Sequence, residues 1–323
     1  MAASNNNNSK YATFSNGRKI DTIGLGTYRA KPDELKMVIE TALKIGYRHI
    51  DCARFYMNEK DIGDAIADQQ IVPRSELFIT SKVYRDSLRP DLLRESCLKS
   101  IKDLQCEYLD LYLIHWPFAQ KPGTGHEKVT EEVLDNVQIM DSWKEMEKLV
   151  DDGLVKSIGV SNFTIQILEK MLPQCRIKPV VNQVELHPYL PQHELVKYCQ
   201  DNGIVVTAYT PLGKGDGSVL NNPVINGIVE KRNRQGGSST TGSSSITPAQ
   251  VAIAWNNQRG VVVIPKSSNP KRLQENLTRI TLTEDEVAQI NGITTRLRII
   301  NPFPDVASLK WVFSPEEQSC PFI

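Results

Sequence analysis

The chain has 323 residues, 40% hydrophobic and 24% charged, a composition that belongs to ordinary globular proteins. Its 38 basic and 38 acidic side chains cancel, which leaves no broad field to attract nucleic acid or an anionic membrane, so neither is an expected partner. The six cysteines (Cys52, Cys97, Cys106, Cys175, Cys199 and Cys320) form no Cys-x-x-Cys pair, which argues against a disulfide framework or a zinc site and for reduced thiols in the cytoplasm.

Residues 1–9 are polar and rich in asparagine, lack the apolar segment of a signal peptide, and are expected to be disordered. No run approaches the ~18 apolar residues of a membrane span. Residues 11–14 and 19–21, joined by Asn16-Gly17, predict a β-hairpin, because Asn-Gly supplies the positive φ angles of a tight turn. Residues 23–27 read as a short strand. Pro32-Asp-Glu-Leu35 opens a helix over 32–45, with acidic residues in its first turn and Gly46 past its end.

From there strand and helix alternate. Strands are predicted at 49–51, 77–83, 109–114, 157–161, 180–186, 205–209 and 261–264. Helices are predicted at 58–69, 90–104, 135–151, 164–172, 192–202, 223–232, 248–258 and 269–277, with one more opening at 282. Residues 121–132 are irregular, 212–218 form a glycine-rich loop, and the Gly/Ser/Thr tract 235–245 reads as an inserted flexible loop. The stretch from Arg296 on has no clear period. About eight strand–helix repeats predict a parallel sheet covered by helices, closed into a (β/α)8 TIM barrel that takes in 10–323 as one domain, with the hairpin and extra helices appended. An open dinucleotide-binding sheet is the rival, but Gly24-x-Gly26 has no third glycine in place and no helix start behind it.

In such a barrel the C-terminal strand ends face the active mouth. Those ends offer Thr27 and Tyr28, Asp51 with Tyr56 just beyond, Lys82, His115 and Trp116, Ser161 and Asn162, Gln183 and Glu185, Tyr209, and Lys266 with Ser267. Taken singly, an Asp–Lys pair serves structure, a tyrosine packs, and a histidine before Trp-Pro sits in a core. Four proton-active residues at consecutive strand ends suggest a relay. A free phenol titrates near ~10, too high for an efficient acid at neutral pH. A lysine ammonium beside it is expected to lower that value, and a carboxylate keeps the lysine charged. Asp51, Tyr56, Lys82 and His115 therefore read as a group that protonates a carbonyl oxygen, with Tyr56 as general acid and His115 orienting the substrate. The carbonyl carbon then needs a nucleophile. No cysteine or serine is suitably placed, and a hydride from a nicotinamide would serve.

A second cluster points the same way. Lys266, Ser267, Ser268 and Arg272 gather at a predicted helix start, which is a phosphate site and favours NADP over NAD. Ser161, Asn162 and Gln183 suit a carboxamide, and Tyr209 offers a flat face to a nicotinamide ring.

These motifs resemble the aldo-keto reductase family, close to its aldose and aldehyde reductase group. The resemblance runs from about Tyr11 to Asn276. It is carried by 46–56, 79–82, 109–117, 157–163, 208–213 and 264–276. It implies a catalytic tetrad at Asp51, Tyr56, Lys82 and His115, nicotinamide contacts at Ser161, Asn162, Gln183 and Tyr209, and a further cofactor contact at Thr27. It implies 2′-phosphate and adenine contacts at Lys266, Ser267, Ser268, Arg272 and Asn276. It also implies a loop from Leu212 to Asp216 that closes over NADPH, latched by Asp216 to Arg29, and pro-R hydride transfer with the cofactor binding first. Histidine at 115 implies C=O reduction, since relatives that reduce steroid C=C bonds carry glutamate there. Tyr28, Trp116 and Asn301 are the implied substrate contacts. Tyr28 and Tyr84 stand where many aldose reductases have tryptophan, which implies a smaller, more polar pocket. The end of the chain, with Arg298 and Asn301-Pro, resembles xylose and plant sugar-phosphate reductases and is the implied substrate loop. Arg54 is an added cation, facing either solvent or an anionic sugar.

The leading expectation is an NADPH-dependent reductase of aldehydes and aldoses, a monomer, with a homodimer as the alternative. A cofactor-binding regulatory subunit with little turnover, like the potassium-channel β subunits, is the rival. Oxidation of polyols as the main direction would use the same site.

Overall fold

The computed structural model describes residues 9–213, 219–235 and 245–313. Asp216, Cys320, residues 1–8 and most of the 235–245 tract lie outside the described residues, so the expectations placed on them are not addressed. The hairpin forms as β1 (Tyr11–Thr13) and β2 (Lys19–Asp21), antiparallel, with Gly17 at φ 82° in its turn.

Eight parallel strands follow around one sheet: β3 (Leu25–Gly26), β4 (His49–Asp51), β5 (Phe78–Val83), β6 (Leu111–Ile114), β9 (Ile158–Ser161), β10 (Val181–Glu185), β11 (Val205–Tyr209) and β12 (Val262–Val263). Between β6 and β9 a short antiparallel ladder, β7 (Ala119–Gln120) with β8 (Leu134–Asp135), brackets the irregular stretch. First and last strands meet through a parallel bridge between Ile23 and Val263. Gly24 N donates to Val263 O (2.8 Å), Gly26 N to Pro265 O (3.1 Å) and Val263 N to Thr22 O (3.0 Å). This seam closes the barrel, so the open-sheet alternative is set aside. The two glycines have another use: a Cβ on Gly24 would lie 2.3 Å from the His49 ring, and one on Gly26 would lie 2.6 Å from Ile264 O.

Ten helices are described among these residues: α1 (Pro32–Ile45), α2 (Glu59–Asp68), α3 (Pro90–Asp103), α4 (Ile139–Asp151), α5 (Ile165–Met171), α6 (His193–Asp201), α7 (Pro223–Arg234), α8 (Pro248–Gln258), α9 (Pro270–Leu277) and α10 (Glu284–Asn291). Their ends follow local chemistry. α1 starts on Pro32 with Asp33 and Glu34 in the first turn, and stops at Gly46, whose φ of 110° lets its N–H reach the last carbonyls. Thr247 with Gln250, and Thr283 with Glu286, form capping boxes on α8 and α10.

β5 is buried at every position, as a strand covered on both faces must be. Phe14 and Ile20 of the hairpin share a cluster with Phe78, Leu111, Val181 and Val262, which begin or nearly begin four of the strands. The hairpin thus plugs the N-terminal end of the barrel, and the opposite end is left for chemistry. A larger apolar layer lies between the strands and the helices. No helix of the described residues is long and apolar enough to cross a membrane.

Candidate active site

Asp51 is the last residue of β4, and register pairs it with Gly26 on one side and Thr80 on the other. Lys82 lies on β5 opposite Leu113 of β6, the strand that delivers His115 just past its end. Tyr56 arrives by a 3-10 turn, Arg54–Tyr56, which swings back over the strand end because Ala53 is extended and Met57 is left-handed at φ 54°. Parallel register and one tight turn therefore bring four sequence-separated residues to one end of the barrel.

Lys82 is fully buried, as is Asp51, and Lys82 Nζ lies 2.5 Å from Asp51 Oδ1. A buried ammonium demands this kind of partner. Its other donors go to Cys52 O at 2.8 Å and to Tyr56 Oη at 3.4 Å. Asp51 Oδ2 accepts from Gln183 Nε2 at 2.8 Å.

Tyr56 departs from the sequence expectation. Burial, reinforced by the Asp51 carboxylate, holds its phenol well above the ordinary value, not below it. Desolvation is the largest influence on this hydroxyl, and the Asp51 carboxylate that holds Lys82 pushes in the same direction. Tyr56 is thus a protonated phenol at neutral pH with an ammonium N–H against its oxygen. His115 is held well below its usual value by burial, with Lys82 and Arg85 adding to the effect, so it is a neutral imidazole. Its Nδ1 is buried without a partner among the described residues.

An aromatic wall surrounds this group. Tyr28, 38% exposed, has its ring 5.0 Å from that of Tyr56. Phe55 stacks on Tyr84 at 4.3 Å and on His126 at 5.5 Å, and Tyr84 lies 5.5 Å from His115. Trp116 is buried against Phe303 (5.3 Å) and Phe313 (5.9 Å) from the C-terminal stretch. Phe55, His126, Phe303 and Phe313 escaped the sequence reading. Phe55 stands beside Tyr56 inside the opening motif and could have been found there; the other three lie in stretches without a period.

Other predicted residues take less expected places. Asn301 is exposed, and its Oδ1 accepts from Phe303 N at 3.3 Å, so its side chain is engaged in a local turn. Arg54 is engaged by the protein itself: its Nη1 donates to Glu59 (2.9 Å) and Asp103 (2.7 Å). Glu59 is buried and also accepts from Ser81 Oγ (2.5 Å) and Ser100 Oγ (3.0 Å), so Arg54 belongs to an ion network behind the tyrosine turn. Thr27 donates its hydroxyl to Asp51 O at 2.7 Å, which braces β3 to β4.

On the other side of the mouth, Tyr209 Oη donates to Asn162 Oδ1 (2.7 Å), and Asn162 Nδ2 donates to His115 O (3.0 Å) and Ser161 Oγ (3.1 Å). Ser161 Oγ donates to Gln183 O at 2.8 Å. The groups read from sequence as carboxamide partners are thus cross-linked to each other and to the His115 strand end. Gln183 keeps its side-chain carbonyl, and Asn162 one lone pair of its own. Leu212 is half-buried at the edge.

The second cluster assembles at α9. Asn269 caps the helix by accepting from Arg272 N (3.1 Å), and buried Ser267 accepts from Asn269 N (3.1 Å) and, at 3.5 Å, from Arg272 Nε. Lys266 and Arg272 are exposed and enter no ion pair among the described residues; Ser268 is half-buried and Asn276 buried behind them. Two unpaired cations at a helix N-terminus fit a phosphate. Among the described residues no group of His, Cys, Asp and Glu could hold a metal ion, and Cys52, Cys97, Cys106, Cys175 and Cys199 are free thiols.

The chain matches the model of the Aldo/keto reductase family over residues 22–295. It belongs to that family. Aldose reductase B of Dictyostelium discoideum is 44% identical over 297 residues, covering 88% of this chain and 92% of that one. Aldo-keto reductase family 1 member A1-A of Danio rerio is 40% identical over 309 residues, covering 90% and 91%. The solved structure of the aldose reductase from Schistosoma japonicum superimposes with a TM-score of 0.83 at 38% identity, covering 96% of this chain and 98% of that one. As an aldo/keto reductase the chain is an oxidoreductase with a (β/α)8 fold.

Proposed function

We propose that this aldo/keto reductase converts aldehydes, aldoses among them, to alcohols with NADPH, and that Tyr56 gives up the proton. The observation that carries the reading is the buried Asp51–Lys82 pair with the Tyr56 hydroxyl 3.4 Å from Lys82 Nζ. Bound NADPH would supply the hydride for the carbonyl carbon.

The chain's own residues do the rest. His115, being neutral, has an N–H to offer the carbonyl oxygen without bringing a second positive charge beside Lys82. Tyr56 delivers its proton to that oxygen as negative charge develops there. The phenolate left behind is the species that the Lys82 N–H stabilises, so the lysine contributes most in the transition state. Asp51 keeps Lys82 charged throughout and Gln183 fixes the second carboxylate oxygen. Tyr209, Asn162 and Ser161 form the braced platform for a nicotinamide. Lys266, Ser267, Ser268 and Arg272 would hold a 2′-phosphate, with Asn276 toward the adenine. The aromatic wall of Tyr28, Phe55, Tyr84 and Trp116 excludes water from the carbonyl.

The test is Tyr56→Phe. Turnover should fall by about 10²–10⁴, the usual worth of a positioned acid, while NADPH still quenches tryptophan fluorescence. Turnover near that of the unaltered protein would sink the mechanism. Steady-state NADPH oxidation with a simple aromatic aldehyde separates this reading from a cofactor-binding subunit that hardly turns over.

A further inference from the structure

Glu185 ends β10, paired in register with Tyr209. Its side chain is fully buried, and among the described residues no lysine or arginine forms an ion pair with it. A buried carboxylate in that position needs hydrogen bonds on both oxygens. Here they come from the far end of the chain. Ile299 N donates to Oε1 at 2.6 Å and Ile300 N to Oε2 at 2.8 Å. His187 Nε2 lies 2.9 Å from Oε1; a carboxylate only accepts, so this nitrogen carries the proton, and Nδ1 is left buried without a partner among the described residues.

Two consecutive backbone amides on the two oxygens of one carboxylate make a clasp. The stretch it holds runs directly into Phe303, whose ring packs 5.3 Å from Trp116 and 5.1 Å from Phe118. Trp116 follows His115 in sequence. A second tether, Leu297 N to Tyr189 O at 3.0 Å, lies just upstream. Farther along, Phe303, Val306 and Leu309 are buried in the core, while beside the clasp a cavity of about 440 Å³ opens, lined by Glu185, Leu190, Arg298, Val312 and Phe313 among others.

We infer that Glu185 is a positioning residue for substrate selection: by clasping the Ile299 and Ile300 amides it sets where Phe303 and Trp116 stand relative to His115. This rests on the reading of the mouth as a carbonyl pocket. Glu185 touches neither substrate nor hydride; it acts through the strap.

The experiment uses the full chain with NADPH and the variants Glu185→Gln and Glu185→Asp. Hydrogen exchange at Ile299 and Ile300 should quicken by about tenfold in Glu185→Gln, since hydrogen bonds to charged groups are the strong ones. The ratio of kcat/KM for a naphthaldehyde to that for glyceraldehyde should shift by about tenfold, the scale of pocket discrimination, with NADPH affinity held within about twofold. Glu185→Asp, which keeps the charge, should restore part of both. Unchanged exchange at the two amides in a folded Glu185→Gln overturns the clasp, and an equal loss for both aldehydes overturns its role in selection. Where Glu185→Gln does not fold, the unaltered protein decides: Ile299 and Ile300 must exchange about tenfold more slowly than Asn301, and equal rates overturn the inference. A chain that reduces no aldehyde would sink the functional reading and with it the role in selection, and the exchange data would still decide the clasp.

Discussion

Asp51 accepts from Lys82 on one oxygen and from Gln183 on the other, at 2.5 and 2.8 Å, so a single buried carboxylate joins β5 to β10 across the barrel mouth. Removing its charge strands an ammonium that has no exposure to water. Asp51→Asn should therefore cost about 3–5 kcal/mol of stability, the usual penalty for breaking a buried pair from one side. Urea unfolding followed by tryptophan fluorescence measures it, and a loss within experimental scatter would contradict the geometry.

Arg272→Ala should weaken NADPH about tenfold or more and leave NADH nearly untouched. Arg272 is exposed and makes no ion pair among the described residues, so its charge is free for a phosphate that only NADPH carries. Fluorescence titration with both nucleotides checks this. Equal weakening of the two would move the 2′-phosphate elsewhere.

Arg54→Met should cost stability and spare selectivity. The arginine is about a quarter exposed but pairs with the buried Glu59 and with Asp103, so the expected loss, discounted for solvent, is about 2 kcal/mol. The KM for an aldose phosphate should change no more than that for the free aldose. A selective rise for the phosphate would return Arg54 to the substrate.

His49 predicts an acid limb. Burial lowers its pKa from 6.5 to about 4. Between those values the unfolded chain binds the extra proton and the folded chain does not, so stability falls as pH drops through that window. This stability is fully present above about pH 6.5, and roughly 3 kcal/mol of it is lost by pH 4. Urea midpoints across pH 4–7 should show this slope, and His49→Gln, which cannot titrate, should flatten it. Parallel curves for the two proteins would rule it out.

The sequence was legible where local chemistry decides. Pro32, Gly46 and the Asn16-Gly17 turn set their own elements, and α1, α8 and β11 fall on the expected residues. The four proton-active residues were legible because parallel strands end at one face, so order along the chain becomes neighbourhood in space. The state of Tyr56 was not, because it depends on how deeply the phenol is buried and on how near the Asp51 carboxylate comes, and order along the chain supplies neither. Arg54 looked like a cation at the mouth because its partner Asp103 is far along the chain. Glu185 read as one more strand-end carboxylate, since a carboxylate filled by backbone amides has no sequence signature at all.

The seam between Ile23 and Val263 has a consequence for assembly. It joins the first barrel strand to the last, so closing it demands the longest chain closure of any strand pairing in the barrel and suits a late folding step. The cationic cluster begins only a few residues past the seam, at Lys266. A nucleotide phosphate bound there would hold the last strand end in place, so refolding yield should rise with NADPH in the buffer, the cofactor serving as a buckle for the barrel.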